Sequence, residues 1–133
     1  MKTSRIMTAA LLIAGTGLAL HSASAQQPSI QRTDLLQHDL GAPGREAVQV
    51  RVDFEPGAVS IKHSHPGDEV AYVLEGSLEY QLAGRAPVTL HAGETLFIPA
   101  GVAHVAKNVG SGKASELATY IVEKGTPLVV PVK

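Results

Sequence analysis

Alternation of apolar and polar side chains organises this chain beyond residue 46. In the run AVQVRVDF (47–54), Val48, Val50, Val52 and Phe54 share one face, while Gln49, Arg51 and Asp53 share the other. A period of two is that of a half-buried strand. Pro56-Gly57 ends the run. Further strand-like runs follow at 59–65, 69–75, 77–82, 87–91, 95–98, 102–107 and 116–123. Turn-forming residues separate them: Pro66-Gly67-Asp68, Glu75-Gly76, Ala83-Gly84-Arg85, Ala92-Gly93, Pro99-Ala100-Gly101 and Gly110-Ser111-Gly112-Lys113. Short strands at such regular spacing predict an all-β sandwich or barrel. No segment carries a helical period of useful length. Thr33 to Leu40, with Leu35, Leu36 and Leu40 on one side, reads equally as a short turn or an edge strand. Residues 26–30 read as a flexible leader, and 125–133 as an extended tail limited by Pro127 and Pro131.

The first 25 residues have a different character. Lys2 and Arg5 precede an apolar run over 6–20, and Ala23-Ser24-Ala25 offers a small-x-small cleavage pattern. This is the form of a secretory signal peptide. The apolar run is shorter than the roughly 20 residues of a membrane-spanning helix. Cleavage after Ala25 takes 25 of the 133 residues and leaves 108, a single-domain length. The division expected is a signal peptide over 1–25, an N-terminal arm over 26–45, a barrel over 46–123 and a tail over 124–133. A periplasmic or secreted protein follows, free of the membrane once cleaved.

Charge and cysteine content narrow the chemistry. Of 11 Lys and Arg, two leave with the leader, so nine basic side chains face 12 acidic ones. A net charge near −3, with no basic run, argues against a nucleic-acid partner. The chain has no cysteine. Core packing must then act without disulfides, and any metal must be held by imidazole and carboxylate.

The segment GAVSIKHSHPGDEVAYVLEG (57–76) supplies such groups. On a strand, His63 and His65 point the same way, and Glu69 can reach them after the Pro66-Gly67-Asp68 turn. Downstream, GETLFIPAGVAHVAKN (93–108) adds His104 after a Pro-x-Gly turn. The spacings are G-x5-H-x-H-x3-E-x6-G and G-x5-P-x-G-x2-H-x3-N.

These two segments resemble the two motifs of the cupin superfamily at every defining position. The matching residues are Gly57, His63, His65, Glu69 and Gly76, then Gly93, Pro99, Gly101, His104 and Asn108. The likeness covers about 46–123 and is closest to small single-domain cupins of the cupin_2 type. It implies a jelly-roll β-barrel holding one divalent transition metal on His63, His65, Glu69 and His104. Three imidazoles and a carboxylate suit Fe, Mn, Ni, Cu or Zn. They leave two positions open on an octahedral ion. Ligation requires neutral imidazole and ionised carboxylate, so acid should release the metal.

Parity from the ligands selects the lining: Val59 and Ile61 with His63, Ala71 and Val73 with Glu69, and Val102 and Ala106 with His104. Tyr72 and Phe97 are left undecided between the pocket and its back face. Asn108 reads as a bond to turn backbone, and His38 and His91 as non-ligands. Arg51, Arg85 and Lys62 read as outside the pocket, leaving no further acid, base or arginine beside the ligands. An apolar pocket with a metal suits a small, partly apolar chelating molecule. The resemblance implies a mononuclear metalloenzyme with dioxygenase-like or Lewis-acid chemistry, in which Glu69 also moves protons. The alternative is a non-catalytic periplasmic protein that binds a metal or small ligand. Sheet edges need cover, for which residues 30–40 and Pro127–Val130 are candidates, and the cupin resemblance implies a homodimer formed through such segments.

Overall fold

A computed structural model describes residues 27–133. The signal-peptide reading of 1–25 lies outside the described residues. Ten strands follow one another in chain order: β1 Ile30–Asp39, β2 Arg45–Phe54, β3 His63–Ser64, β4 Asp68–Glu75, β5 Ser77–Leu82, β6 Val88–His91, β7 Thr95–Ile98, β8 His104–Asn108, β9 Ala114–Glu123 and β10 Val130–Pro131. Among the described residues, no helix is long and apolar enough to cross a membrane.

The strands form two five-stranded antiparallel sheets, ordered β1-β2-β9-β4-β7 and β10-β3-β8-β5-β6. Neighbours in each sheet are mostly distant in sequence, as in a jelly roll. The fold is all-β, as the alternation predicts. The inner faces carry the core: Val50, Val52 and Phe54 of β2, Ala118, Tyr120 and Val122 of β9, and Leu78, Tyr80 and Leu82 of β5 are all buried. The alternating face of residues 48–54 therefore points inward, as read from the sequence, although Val48 is only partly buried.

Three features departed from the pattern or were left open by it. Of the two readings of Thr33–Leu40 the edge strand holds: residues 33–39 are the greater part of β1, at the edge of its sheet, pairing with β2 from Ile30↔Phe54 to Asp39↔Glu46. The C-terminal tail adds β10 to β3 through Val130↔Ser64 and Pro131↔His63. The run 59–65 is a strand only at His63 and Ser64. There the Ser60 hydroxyl, in place of a main-chain carbonyl, accepts the Ala106 amide at 2.9 Å. This break in the ladder resets the side-chain parity upstream. Val59 and Ile61 are consequently 51% and 60% exposed, and do not share the inward face of His63. Tyr72 and Phe97 face outward from β4 and β7.

Side-chain bonds tie the two motif segments together. Asp68 Oδ1 accepts the Ala100 amide at 3.0 Å, and Gly101 N–H donates to the His65 carbonyl at 2.9 Å. Buried Asn108 donates to the carbonyls of Phe54, Glu55 and Gly112 and accepts from Gly110 N–H. Its task is to hold turn backbone, since these carbonyls and amides would otherwise be left without partners.

Candidate metal centre

Four elements bring the site together. His63 on β3 stands directly opposite His104 on β8. His65 follows β3, and Glu69 lies on β4, paired with Tyr120 of β9. All four candidate ligands are buried. The ligand atoms of His63, His65 and His104 lie within 4.8 Å of one another.

The direction in which each ring faces is set from behind. His63 Nδ1 bonds the Ile61 carbonyl at 2.7 Å, His65 Nδ1 that of Leu128 at 2.6 Å, and His104 Nδ1 that of Val102 at 3.0 Å. A carbonyl only accepts, so each Nδ1 carries a proton and donates. In the neutral ring Nε2 is then a bare lone pair aimed at the centre, the tautomer that metal-binding histidines adopt. The C-terminal tail takes part here, because Leu128 orients His65.

Glu69 Oε2 lies 2.9 Å from His65 Nε2 and 3.5 Å from His104 Nε2. Neutral imidazole and carboxylate both present lone pairs, so they have no hydrogen bond to make. Among the described residues, the buried His65 Nε2 and Glu69 Oε2 are indeed left without a partner. Two buried acceptors at this distance need a cation between them, a proton or a metal ion. Three imidazole nitrogens and one carboxylate oxygen fit a divalent first-row metal in donor type.

The acid–base balance follows the same geometry. In the proton-bridged form, burial works to raise the Glu69 carboxyl, but the hydrogen bonds and charge of the His104 and His65 rings outweigh it and hold it down at about 2. Burial works to lower His104, yet Glu69 and the Val102 carbonyl shift it up. Burial lowers His63, only partly offset by the Ile61 carbonyl.

Behind the ligands lies a small cavity of about 40 Å³. Its lining corrects the expectation of a wall without further acid, base or arginine: Arg32, Tyr80, Glu116 and Tyr120 all border it. Buried Tyr80 donates its hydroxyl proton to Glu116 Oε2. Burial and the Glu69 charge push Glu116 up to about 7, with the Tyr80 bond working against them. Burial also raises both tyrosines above their usual range, so they remain protonated. Arg32 Nη2 donates to the Tyr120 hydroxyl at 3.3 Å. Glu116 was legible as the one acid on the inward parity of Ala114, Ala118, Tyr120 and Val122. Arg32 was not, because its strand carries no apolar alternation.

The remaining expectations sort cleanly. Ala71, Val73 and Ala106 are buried, and Val102 packs against the core. His91 is exposed and bonds Ser77 at 2.8 Å, and His38 is exposed on β1. Arg51 pairs with Asp53 at the surface, while Lys62 and Arg85 are exposed.

Two antiparallel sheets, rolled around converging imidazoles and a carboxylate, define a double-sheet β-barrel protein with an internal cation-type site. Residues 50–120 match the Cupin_2 family (Cupin domain), and the chain belongs to that family. It is similar to germin-like protein subfamily 2 member 2 of Arabidopsis thaliana, 37% identical over 86 residues, covering 59% of this chain and 39% of that protein. It is also similar to an oxalate oxidase of Triticum aestivum, 32% identical over 101 residues, covering 68% of this chain and 45% of the other. The chain thus spans less than half the length of these curated relatives. Among solved structures, a double-stranded β-helix protein from Klebsiella pneumoniae superposes with a TM-score of 0.64 at 22% identity, covering 83% of this chain and 89% of that one.

Proposed function

We propose that the protein is an exported, mononuclear metal-dependent oxidoreductase of dioxygenase-like type, acting on a small, partly apolar chelating molecule. His63, His65, Glu69 and His104 hold one divalent transition metal. The observation that carries this reading is the three Nδ1–H···O=C bonds, which turn three Nε2 atoms toward one centre where the buried His65 Nε2 and Glu69 Oε2 have no partner among the described residues. Likeness to an oxalate oxidase supports redox chemistry on a small molecule. When bound, the metal supplies Lewis-acid polarisation and one-electron chemistry at neutral pH.

The chain's own residues do the rest. The backbone carbonyls of Ile61, Leu128 and Val102 fix the rings. Glu69, ionised at neutral pH, accepts a proton from the reacting molecule. Glu116, balanced near neutrality and bonded to Tyr80, is a second proton carrier on the same cavity. Export rests on the pattern of residues 1–25. In the division proposed here, 26–45 is an arm, 46–123 the barrel and 124–133 a tail. The outer edge of β1, which has no strand beside it among the described residues, is where a second copy would pair to form a homodimer.

A non-catalytic metal-binding protein is the second reading. The cavity of about 40 Å³ favours it, because that volume admits water-sized groups and no organic body. The two readings separate on Glu69→Gln. With oxygen consumption followed on a panel of β-diketones and catechols, the variant is expected to keep most of its metal while turnover falls roughly 100-fold. Equal loss of metal and turnover would reduce Glu69 to a plain ligand. Stoichiometric zinc with no turnover across the panel would establish the binding protein.

A further inference from the structure

Above the inner cavity lies a second, open one of about 380 Å³, lined by Pro28, Ile30, Val59, Ile61 and Val129 with Arg32, Ser60 and His63. Ile30, Arg32, Ser60 and His63 border both cavities. The outer one is therefore a vestibule to the site. Val59 and Ile61, displaced from the barrel interior by the Ser60 irregularity, form its apolar wall.

Among the described residues, Arg32 is the vestibule's one cationic side chain. Its guanidinium sits 6.0 Å from the Tyr120 ring centre and donates one N–H to the Tyr120 hydroxyl. Among the described residues, no carboxylate comes within ion-pair distance of it. Accepting from Arg32 leaves the Tyr120 O–H proton to donate in turn. Arg32 borders both cavities and Tyr120 the inner one, so two donors, one of them charged, lie along the way from vestibule to site. Ser60 adds none, because its hydroxyl already donates to the Ile61 carbonyl and accepts from Ala106.

We infer that Arg32, with Tyr120, anchors the carboxylate of an amphipathic monocarboxylic acid whose apolar body lies on Ile30, Val59, Ile61 and Val129. This names a substrate class for the proposed metal site and rests on that reading. The vestibule is large enough for a body of about six carbons, and the inner cavity is not. A single guanidinium matches a single negative charge. Among the described residues Arg32 is the one guanidinium lining either cavity, so beyond the metal itself a second carboxylate would meet no cationic partner.

The test uses the full chain loaded with zinc, titrated by calorimetry with hexanoate, hexanamide and oxalate, and the metal content of each sample is measured. Hexanoate is expected to bind roughly tenfold or more tightly than hexanamide. Arg32→Gln should remove that difference without changing metal content, and Arg32→Lys should restore part of it. Amide shifts in NMR should fall on residues 28–32 and 59–63. Equal binding of acid and amide to the wild type, or an Arg32→Gln protein that still prefers the acid, would overturn the inference. Oxalate binding more tightly than hexanoate would overturn it also. A wild type that takes up no zinc would instead overturn the metal reading beneath it. The acid–amide comparison in the wild type depends on no variant.

Discussion

The His104→Ala protein is expected to lose divalent metal binding by at least the roughly 100-fold that removing a mere hydrogen-bond partner behind a ligand can cost. His104 does three things at once. Its Nε2 stands 3.5 Å from Glu69 Oε2, its Nδ1 is fixed by Val102, and its strand faces His63. Removing the ring leaves two imidazoles and a carboxylate open to water on one side. The measurement is calorimetric titration with zinc or manganese, joined to thermal unfolding with and without the metal. Wild-type protein should gain about 2.7 kcal/mol at a free metal concentration 100 times its Kd. The variant should gain almost nothing at the same concentration. His91→Ala is the control, because His91 is exposed and its ring bonds only Ser77 among the described residues. It should bind and melt as the wild type does.

Gly67→Ala should cost the fold more than any surface substitution, about 3 kcal/mol or above. Gly67 lies in the loop between His65 and Glu69, pressed against β9. A Cβ there would fall on the carbonyl oxygen of Ile121, with the Ile121 carbonyl carbon and Val122 Cγ1 each at 2.9 Å. The obstacle is backbone, and β9 is held between β2 and β4, so it has nowhere to retreat. The loop must move instead, carrying His65 and Glu69 with it. Urea unfolding should show the loss, and metal affinity should fall in parallel. Gly84→Ala offers the comparison: its φ is +74°, but nothing lies within 4 Å of a new Cβ. Only the left-handed backbone penalty of about 1–2 kcal/mol applies there.

Much of the barrel was legible because its strands obey strict alternation. Residues 48–54 and 69–73 present the sides that periodicity assigns them. The meeting of His63, His65, Glu69 and His104 in one buried cluster was legible for a different reason: their spacing matches the cupin motifs. What escaped was decided by single contacts that no period records. The Ser60 hydroxyl replaces one carbonyl in the ladder and turns Val59 and Ile61 into vestibule wall. β1 has only Ile30 partly buried among ten residues, so alternation could not declare it a strand. It is held by its backbone ladder and a few polar side-chain bonds, not by an apolar face, and Arg32 came into the site unannounced. The role of the tail in orienting His65 is likewise a main-chain carbonyl bond, invisible in side-chain identity. Gly67 differs from the motif glycines in the same way. Gly57, Gly93 and Gly101 have positive φ with open space around them, as turns demand, and Gly76 adds a close backbone to its positive φ, whereas Gly67 is glycine only because another strand passes too close.

The central claim is that three imidazoles, each through Nε2, and one carboxylate share a single cation inside the barrel. Crystallography of the metal-loaded protein, with anomalous scattering recorded at the metal edge, tests it most directly. One anomalous peak per chain is expected, bonded to Nε2 of His63, His65 and His104 and to a Glu69 oxygen. An empty centre at saturating metal, or a peak bound elsewhere, would contradict it.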